Sequence, residues 1–219
     1  MIKRLVVICC ILLVPTIAAA EGNTNYGEFW VGGQVGALFT NEADWNFDSP
    51  LGSGTFRNVG TQVAVTAGGI VGYNFCMSYR QPWERYFGVA LDFSWNQYTQ
   101  GRVPIDGNQF ALALLARGQY PLMGSETFKY GRLVPFIMVG PAIVWSNSDF
   151  SNLGGDSQTS TDVAIVAEIG LDYYIIPHLS IGPSFRYRHV FGPDYEFRNV
   201  NVDTNLNQFT LMGRLAYHF

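Results

Sequence analysis

The chain has 219 residues, of which 48% are hydrophobic and only 14% charged, with 17 acidic side chains against 13 basic ones. That length fits one domain, and the acidic balance, a net charge of −4, argues against a nucleic-acid partner, which selects basic surfaces. After residue 20 no apolar run approaches the ~20 residues that a membrane-spanning helix needs.

The chain opens with an export signal over residues 1–20. Lys3 and Arg4 precede the apolar run Leu5 to Val14, and Ala18-Ala19-Ala20 offers small residues at a cleavage site. The run is too short to cross a bilayer, and Pro15 ends it. Cleavage after Ala20 removes Cys9 and Cys10, so Cys76 stands alone and no internal disulfide can form. The mature chain, 21–219, then keeps 11 basic residues against 17 acidic, a charge of −6. No lipoprotein box precedes a cysteine at the cut, so a lipid anchor is not expected.

From there, apolar residues alternate with small or polar ones, the mark of strands with two unlike faces. In the first, Phe29, Val31, Val35, Ala37 and Phe39 oppose Trp30, Gly32, Gln34 and Gly36. In the second, Val63, Val65, Ala67, Val71, Tyr73 and Phe75 oppose Gln62, Ala64, Thr66, Gly68 and Asn74. In the third, Phe87, Val89, Leu91, Phe93 and Trp95 oppose Gly88, Ala90, Asp92, Ser94 and Asn96. In the fourth, Phe110, Leu112, Leu114 and Ala116 oppose Gln109, Ala111, Ala113, Arg117 and Gln119. The fifth, Leu133 to Ser146, is apolar on both faces and leaves its orientation open. In the sixth, Val163, Ile165, Ala167, Ile169, Leu171 and Tyr173 oppose Ala164, Glu168, Gly170 and Asp172. In the seventh, Leu179, Ile181, Phe185 and Tyr187 oppose Ser180, Gly182, Ser184, Arg186 and Arg188. In the eighth, Phe209, Leu211, Leu215, Tyr217 and Phe219 oppose Gln208, Thr210, Arg214 and His218. Residues 40–60, 99–108, 147–161 and 192–205 read as outer loops, and 76–85, 121–132 and 176–178 as inner turns.

The expected fold is therefore all-β: an eight-stranded antiparallel up-and-down barrel with its apolar parity against lipid. A lipocalin-like barrel has the same period but turns its apolar face inward. Two features choose between them. The polar parity is rich in Gly, Ala and Ser, which suit the narrow lumen of eight strands. Aromatics gather at strand ends, Tyr73, Phe75, Phe87, Tyr120, Tyr173, Tyr217 and Phe219 at one rim and Phe39, Trp95, Phe110, Tyr187 and Phe209 at the other. Such girdles belong to membrane barrels.

The final strand, Leu215-Ala216-Tyr217-His218-Phe219, resembles the C-terminal assembly signal of bacterial outer-membrane barrels, with Leu215, Tyr217 and Phe219 as its apolar positions. Val134-Pro135-Phe136 followed by Gly140, and Phe185-Arg186-Tyr187-Arg188, are similar to strand motifs of the small OmpA/OmpX-like barrels. The resemblance covers the mature chain. It implies a Gram-negative outer-membrane location, contact with outer-membrane lipids and lipopolysaccharide, delivery to the barrel assembly machinery through the last strand, and a monomer.

The lumen-facing parity carries Asp92, Arg117, Glu168, Asp172, Arg186, Arg188 and Arg214. A closed lumen cannot leave such charges unpaired, so interior ion pairs are expected. A turn about Pro177 sets Glu168 opposite Arg186, and Asp92 could pair with Arg117 across strands three and four. Such a cluster is either a gated ion path or a plug, and a filled eight-stranded lumen favours the plug. Pro141 and Pro183 interrupt strands five and seven, each after a glycine, and predict bulges.

Enzyme signatures are not legible. His178 falls in a turn, His218 at the terminus and His189 near the outer end of strand seven on the lipid-facing parity. The barrel lipid A deacylases carry a serine two positions after a comparable histidine, where this chain has Phe191. No catalytic, metal or cofactor residues are assigned. The expected function is a non-enzymatic surface scaffold with acidic outer loops, with a narrow pore, a lipid A-modifying enzyme or an adhesin as alternatives.

Overall fold

The computed structural model describes residues 28–40, 43–49, 52–59, 63–75, 86–99, 106–125, 127–128, 131–149, 157–191, 194–197, 200–203 and 206–219. The expected leader 1–20, Gln62, Cys76 with most of its connection, and the loop residues Glu42, Asp156 and Arg198 lie outside them.

Among the described residues twelve strands follow one another: β1 (Glu28–Thr40), β2 (Ala43–Ser49), β3 (Gly52–Val59), β4 (Ala64–Asn74), β5 (Phe87–Thr99), β6 (Asp106–Gln119), β7 (Leu133–Asp149), β8 (Gln158–Ile176), β9 (Leu179–Phe191), β10 (Asp194–Phe197), β11 (Val200–Asp203) and β12 (Leu206–His218). Eight of them close an antiparallel barrel in the order β1-β12-β9-β8-β7-β6-β5-β4. The wall closes where β1 meets β12, from Trp30↔His218 to Thr40↔Gln208. Both ends of the barrel chain, the tight Pro177–His178 turn and the connections 75–86 and 120–132 lie at one end, the turn end, and the connections 41–63, 100–105, 150–157 and 192–205 lie at the other, the loop end.

Burial follows parity around the wall. Leu91, Leu112 and Ile165 point outward, while Arg186 is 1% exposed inside. Strand five of the sequence, now β7, is resolved by the same rule. Val134, Phe136, Met138, Ala142 and Val144 are buried in the lumen, and Ile137, Val139, Ile143 and Trp145 face out. The outer surface is banded as membrane barrels are. Trp95, Phe110 and Trp145 form one row on neighbouring strands, and Phe39, Phe209 and Tyr187 form another at the loop end. At the turn end the Tyr217 and Phe219 rings lie 5.0 Å apart, and Phe219 lies 5.7 Å from Phe29 across the closing seam.

Two expectations fail. Pro141 and Pro183 sit in register without bulges. Pairing runs from Ala113↔Ala142 to Ala116↔Val139 and from Gly170↔Ser184 to Tyr173↔Ile181 with no slip, only unpaired steps between. Proline removes a ladder donor, and the preceding glycine lets the neighbouring strand crowd in. A Cβ on Gly140 would strike the Leu114 carbonyl oxygen, and one on Gly182 the Leu171 carbonyl oxygen. The one register shift between barrel strands falls instead at Tyr174/Ile176, beside the turn. The second failure concerns the loops 40–60 and 192–205. They hold a separate four-stranded sheet in the order β10-β11-β2-β3. Their alternation is short, and sequence separates the two hairpins by more than 130 positions, so local pattern alone did not reveal it.

Packing inside the lumen needs glycine at defined points. The Trp30 indole occupies the space over Gly72, and the Phe136 ring that over Gly170. Gly72→Ala should therefore cost about 1–3 kcal/mol through overpacking, whereas Gly33→Ala, where a Cβ meets open space, should stay within about 0.5 kcal/mol. Urea titration of the heat-modifiable gel band measures both, and equal midpoints would contradict the packing.

Candidate functional site

The lumen is the chemically dense part of the molecule, and it is built in layers. In the middle, Arg186 reaches across from β9 to β5. Its Nη1 and Nη2 donate to Asp92 Oδ1 and Oδ2 at 2.9 and 2.7 Å. Its Nε donates to Glu168 Oε2 on adjacent β8 at 2.8 Å. Arg214 of β12 donates to the other Glu168 oxygen, and Gln34 of β1 donates to Asp92. Five strands thus meet at one charge cluster, each partner nine-tenths or more buried. Charge-assisted and forked contacts of this kind are the strong ones.

Towards the turn end, Arg117 Nη2 pairs with Asp172 Oδ2 at 2.7 Å, and its Nε donates to Gln119 Oε1 at 2.9 Å. Arg117 and Arg214 both stack on the Trp30 and Phe136 rings, 4.4 to 5.9 Å from the centroids. The aromatic faces take the cationic charge that the carboxylates leave.

Asp92 and Arg117 do not pair. The register sets Arg117 opposite Gly88 and Asp92 opposite Ala113. Asp92 instead meets Arg186 across the lumen, from β5 to β9, and Arg117 of β6 meets Asp172 of β8 over the intervening β7. Glu168 and Arg186 are direct neighbours in the β8–β9 ladder.

Towards the loop end, Arg188 is held by neutral groups. Its Nη2 donates to Ser94 Oγ at 2.7 Å, and its Nη1 lies 3.3 Å from Gln109 Oε1 and 3.4 Å from Gln208 Oε1. Gln208 and Gln109 are joined at 2.9 Å, and Gln109 donates to Ser146 Oγ at 3.2 Å. Ser160 donates to Asp162 Oδ1 at 2.8 Å nearby.

At the turn end a fourth layer gathers around His218. Ser180 Oγ is 2.9 Å from Nε2, Tyr174 OH 3.1 Å from Nδ1, and Glu28 Oε2 3.4 Å from Nδ1. Asn74 donates to the same Glu28 oxygen at 2.9 Å. The order serine, histidine, carboxylate resembles a nucleophile relay, but Ser180 is 1% exposed. The layer ties β1, β4, β8, β9 and β12 together.

His189 sits half-buried on the lipid-facing parity, its Nδ1 2.7 Å from Asn207 Oδ1 and its ring edge-on to Phe191. His178 faces the chain terminus, with Nδ1 2.9 Å from the His218 carbonyl oxygen. Leu215, Tyr217 and Phe219 all point outward, and the Phe219 amide donates to the Phe29 carbonyl at 2.9 Å. Among the described residues no cluster of three or more His, Cys, Asp or Glu could hold a metal.

Sequence reasoning missed Asp162, Tyr174 and Glu28. All three lie on the inward parity, just beyond where the alternation of apolar residues stops. The strands run further than their greasy cores, β8 from Gln158 to Ile176, and carrying the parity to those ends would have found them.

Removing one partner from a buried cluster leaves the other charge stranded. Glu168→Gln should cost about 3–5 kcal/mol, measured by urea unfolding from lipid vesicles. A double-mutant cycle on Arg117 and Asp172 should give a coupling of about 0.5–3 kcal/mol, and the cycle on Arg117 and Asp92 close to zero. The reverse ranking would refute the pairing of Arg117 with Asp172.

A family model described as the outer membrane protein beta-barrel domain matches residues 6–219. No curated protein matches. Among solved structures the chain is similar to Neisserial surface protein A (NspA), with 16% identity, a TM-score of 0.52, and coverage of 87% of this chain and 97% of that one. It is also similar to the outer membrane protein OprG from Pseudomonas aeruginosa, with 15% identity, a TM-score of 0.59, and coverage of 89% and 97%. At those identities the likeness speaks for the fold, which is that of small outer-membrane barrels. The girdled, lipid-facing wall and the family match over nearly the whole chain lead to one conclusion: the chain belongs to the outer membrane protein β-barrel domain family and resides in the Gram-negative outer membrane.

Proposed function

We propose that the protein is a non-enzymatic surface scaffold, a plugged barrel that anchors its loop-end structures in the outer membrane. The observation that carries this reading is the Asp92–Arg186–Glu168–Arg214 cluster, which spans the lumen at mid-height with each guanidinium engaged by carboxylates. A hydrated path for solutes would have to break those contacts, and each leaves a buried charge behind when broken. Above and below, Gln109, Gln208 and Ser146, and Trp30 and Phe136, fill the same cross-section.

Barrel assembly would read the outward-facing Leu215, Tyr217 and Phe219, and lipid and lipopolysaccharide would surround a monomer. Orientation follows the rule for such barrels from the barrel strands' two ends, which with the Pro177–His178 turn would lie on the periplasmic side.

Planar-bilayer recording of the purified protein should show no stable open state, and sustained conductance would replace the scaffold with a pore. A serine-directed fluorophosphonate should leave the folded protein unlabelled. Labelling that disappears in Ser180→Ala, or a lipid A mass spectrum that changes with the gene and reverts in His189→Ala, would make it an enzyme.

A further inference from the structure

The turn-end connection into β7 ends on a cation that breaks the parity of the wall. Leu122 and Leu133 bridge the connection through backbone bonds of 2.8 and 3.3 Å. Gly131 stands at φ +89°, a left-handed conformation that suits glycine, and a Cβ there would strike the Leu122 carbonyl oxygen. Even-numbered residues of β7 such as Val134 and Phe136 face the lumen, and the same parity would send Arg132 there. The Arg132 side chain is exposed instead. Its guanidinium lies 5.1 Å from the ring of Tyr173, which faces outward on β8, and 5.3 Å from the ring of Phe128 in the connection.

Of the five arginines whose side chains are described, the other four are no more than 3% exposed, inside the lumen. Among the described residues no carboxylate pairs with Arg132. Ring faces attract the cation and hold its plane. They leave its forked N–H edge for an acceptor with two oxygens.

The surroundings of this cation are those of a membrane interface. Tyr120, Tyr217 and Phe219 are exposed at the same rim, and such aromatic bands lie at headgroup level. From that rim an apolar track runs along the outer face of β7 and β8, through Leu133↔Tyr173, Ile137↔Ile169 and Val139↔Ala167. From Leu133 to Val139 the strand covers roughly 20 Å at ~3.3 Å per residue. At the ~40° tilt of such barrels that is about 15 Å of depth, half of the ~30 Å hydrocarbon core.

We propose that Arg132, clasped by Tyr173 and Phe128, binds the phosphate of a glycerophospholipid in the periplasmic leaflet, with an acyl chain laid along β7 and β8. The proposal rests on the orientation given above, which puts the turn end on the periplasmic side. Charge and shape choose this occupant together. The two non-bridging oxygens of a phosphodiester match the free edge of the guanidinium, and the track below is one leaflet deep. A free phosphate would use the cation and leave the track bare.

The test uses the folded protein in detergent micelles, titrated with phosphatidylglycerol and read as lipid adducts by native mass spectrometry. Arg132→Gln should weaken the adduct roughly tenfold or more, the scale of one charge-assisted contact. Tyr173→Leu, which keeps the charge and removes one ring, should weaken it by a smaller factor. Diacylglycerol with the same chains should bind more weakly than phosphatidylglycerol, and equally to wild type and Arg132→Gln. Heat-modifiable migration verifies barrel closure in each variant. Equal phosphatidylglycerol affinity in wild type and Arg132→Gln overturns the proposal. So does diacylglycerol that binds wild type as tightly as phosphatidylglycerol, because the phosphate is then not read. Inorganic phosphate that displaces the lipid in full would make this a site for the free anion, and a lipopolysaccharide adduct that alone depends on Arg132 would move it to the outer leaflet; either result overturns the proposal. The orientation is tested separately. Thr127→Cys, at an exposed position of the same connection, in a Cys76→Ser background should react with a membrane-impermeant maleimide only after the outer membrane is permeabilised. Labelling of intact cells overturns the orientation, and with it the leaflet, whatever the lipid titration gives.

Discussion

A closed eight-stranded wall leaves a lumen too narrow for water to solvate what lies inside, and everything else in this molecule answers to that limit. Hydrocarbon on the outside satisfies no polar group, so the backbone must close on itself. The inward parity must then fill a thin cylinder and neutralise whatever charge it carries. The chain meets both demands with the same residues. Long arginines span the lumen to reach carboxylates on distant strands, and their planar heads stack on Trp30 and Phe136. Glycines at 72 and 170 make the room those rings need.

Such a filling trades stability for uniqueness. A buried ion pair brings little net stability, because desolvation offsets most of the attraction. It does penalise mispairing. If β9 slipped by one residue against β8, Arg186 would turn into lipid and Phe185 into the lumen, leaving Glu168 without its partner. The charges therefore fix register, while the outward Leu, Ile, Val and Phe residues supply the gain from leaving water.

Much of this was legible in the sequence, because period two is imposed by the wall itself. Eight alternating segments, the lipid-facing parity and the turn at Pro177 follow from local spacing. Seven of the lumen charges follow from parity alone. Their pairing follows only in part. Glu168 and Arg186 are ladder neighbours across a two-residue turn, so counting finds them. Asp92 reaches Arg186 across the lumen, and Arg117 reaches Asp172 over β7, at separations of 94 and 55 residues that no local count connects. The loop-end sheet stayed hidden for the same reason, since β2 meets β11 only after the barrel has brought β1 beside β12. The prolines misled for a different reason. A bulge is one way to accommodate a missing donor, but a glycine next to it permits another, in which the neighbouring carbonyl moves into the space a side chain would fill.

Those two Gly-Pro sites have a mechanical meaning. They interrupt the hydrogen-bond ladders between β6 and β7 and between β8 and β9, but the β7–β8 ladder between them runs unbroken from Leu133↔Tyr173 to Ser148↔Gln158. The wall is thus perforated on either side of one hairpin, like a stave with loosened joints. The side chains rivet it back in place. Asp172 ties the hairpin to Arg117 of β6, and Glu168 ties it to Arg186 of β9 and Arg214 of β12. Where the backbone gives up its stitches, electrostatic clamps bridge the same seams, so at these two steps ionised groups stand in for the missing amides.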